Sequence, residues 1–317
     1  MNIVMLDRAT FAPATRFDTV PLDPCMWREH AVTAAGETVE RARDAEVVIT
    51  NKVPLDAAVI ARLTRLRLIA VAATGVDHVD LDAARGRGVA VCNVAGYAGV
   101  SVPEHVFALM LALRRNLQGY AQAATDGRWS ASPVFCLHDF PICDLHGSVL
   151  GIVGGGGLGQ AVAQLARAFG MRVLLAERRA AKTSRAGRTD FDAVLREADV
   201  LSLHVPLTCE TRHLIGAREL GLMKHSALLI NTARGGVVDE GALLAALTAG
   251  RLGGAALDVL DGEPPRADHP LLTARLPNLL ITPHVAWASR GAQQRLADEI
   301  VANIAAYARG ERRNRVD

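Results

Sequence analysis

Apolar residues in this chain fall into short continuous runs, separated by longer stretches with helical spacing. In the first part of the chain the runs 3–6, 46–50, 68–72 and 89–92 predict buried strands, and residues 55–63 have the period of an amphipathic helix. Strands that alternate with helices in this way are typical of βαβ units. The pattern therefore predicts a small parallel sheet.

The same alternation returns after residue 148. Six runs, at 149–153, 171–176, 200–203, 227–230, 255–257 and 279–281, predict a second parallel sheet. A long apolar helix is expected at 103–113, with Ser101 as its N-cap. Residues 114–147 are more polar and less periodic, and we interpret them as an arm that serves assembly. The whole pattern indicates an α/β protein.

Length and composition narrow the class of protein. The 317 residues are 50% hydrophobic and carry a formal net charge of +2, which fits a soluble globular protein of two domains. The basic residues are dispersed, so nucleic acid is not an expected partner, and no apolar run reaches the ~20 residues of a membrane span. The five cysteines lack metal-ligand spacing, and we expect no metal site and a reducing cytoplasm.

A glycine-rich turn follows the first strand of the second sheet and leads into a helix. Gly154, Gly156 and Gly159 form a G-x-G-x-x-G pattern between a strand and a helix, and Glu177 lies 23 residues after the first of them (177 − 154). This context is typical of a dinucleotide-binding turn, in which glycines allow a tight turn and bring the pyrophosphate close to a helix N-terminus. The alternative is a tight turn that binds nothing.

The residues after the second strand bear on the choice of cofactor. The Glu177 carboxylate can accept hydrogen bonds from ribose hydroxyls, which favours NAD. Arg178 and Arg179 offer guanidinium groups that could hold a 2′-phosphate, although both could equally be solvated. We therefore expect NAD and leave NADP open.

Polar residues follow the remaining strands of the second sheet. In chain order they are His204-Val205-Pro206, Asn231-Thr232-Ala233-Arg234, Asp258 and Thr282-Pro283-His284. Because the carboxyl ends of parallel strands share one edge of a sheet, these residues should converge on the same crevice as the glycine turn. In the first sheet, the loops at 51–53 and 73–77 follow strands in the same way.

Three of these side chains can be assembled into a mechanism. His284 can donate a proton to a carbonyl that accepts a hydride, since imidazole titrates near neutrality. Glu263, followed by two prolines, could hold the imidazole, and a neighbouring carboxylate favours the charged ring and fixes its tautomer. Arg234 offers a bidentate fork for a substrate carboxylate. The alternative is a structural histidine and a surface arginine.

Together these motifs resemble the D-isomer-specific 2-hydroxyacid dehydrogenase family. The matching stretches are Gly154-x-Gly156-x-x-Gly159, 203–208, 231–236, 258–259 with 261–264, and 282–284, in order over nearly the whole chain. Further stretches at 51–52, 72–75, 93–97, 101–105 and 284–287 are similar to its glycerate dehydrogenase (hydroxypyruvate reductase) branch.

The resemblance implies a role for each matching residue. Arg234 would bind the substrate, and His284 would be the acid/base with Glu263 as its partner. The substrate carboxylate would meet the N–H groups of Thr74 and Gly75, in a site that also includes Lys52. The cofactor site would comprise Val102, Gly154, Gly156, Gly157, Leu158, Gly159, Glu177, Arg178, His204, Val205, Pro206, Thr211, Thr232, Ala233, Arg234, Asp258, His284 and Ala286, with Asp258 at the nicotinamide carboxamide.

The family fold has two Rossmann-like domains with doubly wound parallel sheets. The resemblance implies a flavodoxin-like substrate domain, residues 1–98 and 285–317, around an inserted NAD-binding domain, residues 99–284. It also implies a homodimer built through the NAD-binding domains, with the arm at 114–147 embracing the partner.

The expected reaction is the NAD-dependent reduction of a small 2-keto acid, with hydroxypyruvate or glyoxylate favoured. Relatives that oxidise phosphite or phosphoglycerate, and NADH-sensing corepressors with the same fold, are the alternatives.

Two positions depart from the family pattern, since Gly155 and Gly157 stand where a large apolar residue and a basic or polar residue are common. Four consecutive glycines make the turn flexible, so ordering it on binding costs more entropy. Trp287 could contact substrate or merely pack.

Overall fold

The computed structural model describes residues 1–18, 25–181 and 183–317. The chain divides into two compact units, one formed by Met1–Ala98 with Trp287–Asp317 and the other by Gly99–Ala286. That the first unit binds substrate and the second binds cofactor stays a prediction. Residues 19–24 and 182 lie outside the description.

The first unit is built on a five-stranded parallel sheet. In chain order its elements are β1 (Asn2–Met5), β2 (Met26–Glu29), α1 (Thr38–Ala42), β3 (Val47–Thr50), α2 (Ala57–Arg62), β4 (Leu68–Val71), α3 (Leu81–Gly86), β5 (Ala90–Cys92) and, at the end of the chain, the helix Arg290–Ala308. The strand order is β2-β1-β3-β4-β5, with every neighbouring pair parallel. This order is the flavodoxin-like one.

Apolar residues cover both faces of this sheet. Val4, Val48 and Ile69 pack with Ile60 and other residues of the first three helices, whereas alternate strand residues pack against the last helix through Leu296, Ile300 and Ile304. Burial on both faces explains why β1, β3, β4 and β5 have continuous apolar sequences. The edge strand β2 was not predicted, because Met26, Arg28 and Glu29 are exposed and break the apolar pattern.

The second unit contains a six-stranded parallel sheet. Its elements are α4 (Ser101–Arg114), α5 (Leu117–Thr125), β6 (Val149–Val153), α6 (Gly157–Ala168), β7 (Arg172–Leu175), α7 (Phe191–Glu197), β8 (Val200–Leu203), α8 (Ala217–Leu222), β9 (Leu228–Asn231), α9 (Glu240–Thr248), β10 (Gly254–Leu257), α10 (Pro270–Thr273) and β11 (Leu279–Ile281). The final helix of the chain, Arg290–Ala308, which belongs to the first unit, is α11.

The strand order of the second sheet is β11-β10-β9-β8-β6-β7. The chain leaves β6 in one direction toward β7 and then returns to the other side at β8, so the strand order reverses between β6 and β8. Ligands of doubly wound sheets bind at such a switch point. The predicted fold class, an α/β chain with two doubly wound parallel sheets, is confirmed.

One prediction about the segment before β6 was wrong. Helix α4 begins at Ser101 itself, with Val100 in the N-cap position, and the Ser101 hydroxyl donates to the carbonyl of Ala286 at 2.6 Å instead of capping the helix. The arm at 114–147, which is more polar and less periodic, contains a helix that was not predicted, α5, with one buried residue, Ala123. A helix that buries so little carries only a weak apolar period, and this explains why the pattern missed it.

Candidate active site

The glycine turn after β6 is shaped by close backbone contacts. Gly154 has φ +100°, and a Cβ there would lie 2.3 Å from the carbonyl oxygen of His204. A Cβ at Gly159 would lie 2.0 Å from the carbonyl oxygen of Gly154. Gly156 is the N-cap of α6 and brings no side chain to cap the first N–H groups. Only glycine fits at 154 and 159, and the N-terminus of α6 remains open for an anion.

This turn borders a cavity of about 1000 Å³ at the switch point of the sheet. The cavity gathers seven of the predicted cofactor residues, which are Gly154, Gly156, Glu177, Arg178, Val205, Pro206 and Thr211. It is also lined by residues that the sequence did not single out, among them Arg185, Arg188, Phe191 and Leu214. Neither arginine belongs to a motif, so no local pattern could have found them.

The Glu177 carboxylate forms an ion pair and several hydrogen bonds that its position in the sequence does not predict. Its side chain is 4% exposed, and its two oxygens accept from Arg185 Nε at 2.8 Å and Nη2 at 2.6 Å. The backbone N–H groups of Arg178 and Arg185 donate to the same carboxylate. The Arg185 guanidinium and these N–H groups hold the pKa of Glu177 well below its usual range. Glu177 is therefore a fixed anion.

The two arginines proposed for a 2′-phosphate differ in their surroundings. Both Arg178 and Arg179 line the cavity. The Arg179 guanidinium lies 3.0 Å from the carboxylate of Glu219, a side chain that is 3% exposed. Because a guanidinium held by a buried carboxylate is less available to a ligand, Arg178 is the better placed of the two for a phosphate.

The other predicted cofactor residues lie outside the lining of this cavity. Gly157, Leu158 and Gly159 form the first turn of α6, Val102 and Ala286 are buried, and Thr232 and Ala233 follow β9. The Thr232 hydroxyl oxygen is buried and finds no hydrogen-bond partner among the described residues. Buried hydroxyls are rarely left unsatisfied, so this atom indicates a place where a ligand would bind.

Arg234 stands on a turn that Asn231 holds. The Asn231 side chain is fully buried, accepts the N–H of Ala233 at 3.0 Å and donates to the carbonyl of Arg234 at 2.9 Å. The Arg234 backbone is extended, with φ −149°. Asn231 was quoted from the sequence only as part of a motif, and the structure gives it the task of fixing the turn.

His284 and Glu263 form the pair that the sequence predicted. The His284 Nδ1 and Glu263 Oε2 atoms are 2.5 Å apart, and the other carboxylate oxygen of Glu263 accepts the N–H of Leu260 at 2.9 Å. The His284 ring is 28% exposed, so Nε2 can be reached by a substrate while Nδ1 faces the carboxylate. This geometry fixes the imidazole in one orientation and leaves one nitrogen for proton transfer.

The loop that carries His284 is held by Asp258. This carboxylate is 1% exposed and accepts from Thr282 Oγ1 at 2.6 Å, from the N–H of Val285 at 2.9 Å and from the N–H of Ala286 at 2.8 Å. His284 itself has φ +53°, a left-handed conformation that costs energy in a residue with a side chain. The Asp258 hydrogen bonds stabilise that strained loop.

In the first unit the predicted substrate residues lie on two loops. Asp7, which is buried, accepts the N–H groups of Asn51, Lys52 and Val53, with the Lys52 contact at 2.7 Å. Burial raises the pKa of Asp7, and these backbone hydrogen bonds oppose the rise. Thr74 donates its hydroxyl to the carbonyl of Val94 at 2.9 Å. The role of Asp7 in holding the Lys52 loop was missed because no motif marks it.

Trp287 packs within the first unit. Its ring meets those of Phe11 and Tyr97 edge-on, with centroids 6.3 Å and 6.1 Å away. Of the two roles left open for Trp287, the packing role has direct support in these contacts.

The described residues offer neither a candidate membrane span nor a candidate metal site. Across 1–18, 25–181 and 183–317, no helix is both long enough and apolar enough to cross a membrane. The same residues contain no group of three or more histidine, cysteine or acidic side chains that could hold a metal ion.

A sequence profile described as "D-isomer specific 2-hydroxyacid dehydrogenase, NAD binding domain" matches residues 107–286. The chain is 46% identical over 317 residues to a glycerate dehydrogenase of Methylorubrum extorquens, an alignment that covers 100% of this chain and 99% of the relative. It is 34% identical over 283 residues to a hydroxypyruvate reductase of Blautia hydrogenotrophica, with 88% and 87% covered.

Solved structures share the same architecture. The D-lactate dehydrogenase of Aquifex aeolicus, solved with NAD and lactic acid, superposes with a TM-score of 0.82 at 29% sequence identity. The match covers 98% of this chain and 96% of that one.

His204, at the end of β8, is predicted to make stability depend on pH. Its Nε2 and the Ser202 hydroxyl oxygen are 2.8 Å apart, and burial lowers the pKa of His204 from 6.5 to about 4. Between these two values the unfolded chain binds more protons than the folded chain, so stability rises with pH through this window. The loss on acidification to pH 4 should approach about 3 kcal/mol from this residue.

The variant His204→Gln should remove that part of the pH dependence, measured by urea unfolding between pH 4 and 7.5. His225→Gln, at an exposed position before β9, is the matched control for the loss of an imidazole. The same slope in His204→Gln and in the parent protein would contradict the prediction.

Proposed function

This chain belongs to the D-isomer specific 2-hydroxyacid dehydrogenase family, and from that premise we propose that it reduces a small 2-keto acid to the D-2-hydroxy acid, with His284 as the acid/base. The observation that carries the proposal is the 2.5 Å contact between His284 Nδ1 and Glu263 Oε2. His284 follows β11 and the glycine turn follows β6, so both lie at the carboxyl edge of one parallel sheet.

NAD is the cofactor of this enzyme, and the second unit fits it. The cavity beside the glycine turn and the open N-terminus of α6 suit a dinucleotide. The buried Thr232 hydroxyl, which has no partner among the described residues, could hydrogen-bond to it. We assign the adenosine ribose to Glu177 and the nicotinamide carboxamide to Asp258. Asp258 can combine this role with holding the His284 loop, because each carboxylate oxygen accepts more than one hydrogen bond.

Substrate binding is assigned to residues with fixed backbones. Arg234, on the turn that Asn231 holds, would bind the substrate carboxylate and polarise the keto group. In the first unit, the resemblance assigns the N–H groups of Thr74 and Gly75 to substrate binding, and Lys52 adds a positive charge on the loop that Asp7 fixes. This arrangement favours small 2-keto acids, which place a carboxylate directly beside the reacting carbonyl.

The proton step falls to His284. When bound, the reduced cofactor supplies a hydride to the keto carbon. Protonated His284 donates from Nε2 to the keto oxygen, and Glu263, at Nδ1, stabilises the charged ring before transfer. In the oxidative direction neutral His284 removes the hydroxyl proton. Reduction should therefore weaken and oxidation should improve as pH rises.

Substitutions of the catalytic pair should lower turnover without lowering cofactor affinity. His284→Ala should reduce kcat by roughly 10²–10⁴-fold, because proton transfer is made only in the transition state. Glu263→Gln should cause a smaller loss of kcat and move the pH profile. Stopped-flow and steady-state rates, with NADH affinity from fluorescence titration, would measure both effects.

The matched control for the catalytic pair is Asp268→Asn, an exposed carboxylate beyond Glu263 that pairs with Arg266 at 3.1 Å. It should leave kcat and the pH profile unchanged. Full turnover in His284→Ala, or a pH profile in Glu263→Gln that matches the parent enzyme, would refute the assignment.

Hydroxypyruvate or glyoxylate is the favoured substrate. Names among the relatives, glycerate dehydrogenase and hydroxypyruvate reductase, support hydroxypyruvate, and a glyoxylate reductase of Thermococcus litoralis is 36% identical over 295 residues. We expect kcat/KM for one of these two acids with NADH to exceed that for pyruvate and bulkier 2-keto acids by at least tenfold, or about 1.4 kcal/mol.

The substrate panel also separates the alternative functions. Phosphite and 3-phosphoglycerate, tested with NAD⁺ in the oxidative direction, would reveal the two other dehydrogenase activities. Tight NADH binding without turnover of any of these compounds would instead support the corepressor-like reading. NADPH is compared with NADH throughout, and a preference for NADPH would overturn the role given to Glu177.

We propose that two chains form a homodimer through the NAD-binding domains, with the arm at 114–147 embracing the partner. This segment exposes large apolar side chains, with Leu117 61%, Trp129 53% and Phe135 90% exposed, and such a concentration is typical of an interface. Phe135→Ser should shift the sedimenting mass toward a monomer, whereas Val32→Ser, 68% exposed in the first unit, should not. A monomeric parent protein would refute the dimer.

We also propose a cytoplasmic location, which is consistent with five free cysteines and is tested by cell fractionation.

A further inference from the structure

The glycine turn contributes no positive side chain to the cavity that it borders. Residues 154–157 are all glycine, so phosphate oxygens placed against this turn would meet only backbone N–H groups from it. A dinucleotide brings at least two negative charges into the site. Charge-assisted hydrogen bonds to phosphate are about twice as strong as neutral ones, so a cation supplied from elsewhere would add substantially to binding.

The guanidinium of Arg188 occupies the space beside this turn. A Cβ built at Gly155 would lie 2.4 Å from Nη2, 2.5 Å from Nη1 and 2.7 Å from Cζ of Arg188. Any side chain at 155 would displace the guanidinium from this position. Glycine at 155 and arginine at 188 are therefore sterically complementary, although 33 residues separate them (188 − 155).

Arg188 is positioned by the backbone, and the described residues give it no acidic partner. Its neighbour Thr189 donates its N–H to Leu175 at 2.9 Å and accepts the N–H of Glu177 at 2.8 Å, which anchors the segment beside β7. The guanidinium donates to the Ala176 carbonyl at 3.3 Å, and it forms no ion pair with a carboxylate of the described residues. The neighbouring Arg185, by contrast, is paired with Glu177.

We propose that Arg188 is a phosphate-binding residue of the dinucleotide site and that Gly155 is required to admit it. The phosphate is either the pyrophosphate or the 2′-phosphate of NADP. Arginine suits this role because its planar fork can donate two hydrogen bonds to one phosphate, and Arg188 lines the cavity with most donors still available. The inference extends the cofactor site of the proposed function and does not depend on the identity of the keto acid.

The experiment is a calorimetric titration of the purified protein, without keto acid, with NADH, NADPH, 5′-ADP, 2′-AMP and adenosine. Arg188→Gln should weaken binding of the ligands whose phosphate it contacts by roughly ten- to a hundredfold and leave adenosine unchanged. Loss for NADH and 5′-ADP assigns the pyrophosphate, whereas loss confined to NADPH and 2′-AMP assigns the 2′-phosphate. Unchanged affinity for all four phosphate ligands, or an equal loss for adenosine, would overturn the proposal.

Further variants separate the role of the guanidinium from general effects of charge and folding. Arg188→Lys keeps the charge without the fork and should lie between the parent protein and Arg188→Gln. Gly155→Leu displaces the guanidinium and should weaken the same ligands, with no further loss in the double variant. Arg196→Gln removes an exposed arginine of α7 and should change nothing. Because binding is measured without substrate, failure of the reductase assignment would leave these results interpretable.

Discussion

The buried carboxylate of Asp258 is the group on which the candidate active site depends most. One side chain accepts hydrogen bonds from a hydroxyl and two backbone N–H groups of the loop after β11. Hydrogen bonds to a charged acceptor each stabilise by about 1.5–3 kcal/mol, enough to offset the order of 1–3 kcal/mol that a left-handed residue costs. The orientation of His284 toward Glu263 thus follows from an acid that comes directly after a neighbouring strand, β10.

In the first unit, too, a buried aspartate holds a loop by accepting its backbone N–H groups. Asp7 follows β1 and collects the N–H groups of three successive residues after β3, including Lys52. In both units an aspartate directly beyond one strand fixes the loop beyond the next strand in the sheet. Parallel strands make this possible, because their carboxyl ends lie side by side and a short carboxylate can span the gap.

The limits of prediction follow from burial. Strands covered on both faces appear in the sequence as continuous apolar runs, so β6 and β8 were predicted with the bounds that the structure gives them. The exposed edge strand β2 and the helix α5, which bury little, have no such signal. Ser101 illustrates a second limit, since a local capping preference lost to a hydrogen bond with Ala286, far along the chain.

The sequence by itself determined the two parallel sheets and the glycine turn, and it supplied His284, Glu263 and Arg234 as candidate catalytic residues, because each rests on local periodicity or on residues in a short motif. Only the tertiary structure decided how the charges around the cavity are arranged. Arg185 neutralises Glu177, and Arg188 fills the space beside Gly155. These contacts join residues on different elements. The spacing of residues along the chain does not predict which side chains meet when strands and loops pack.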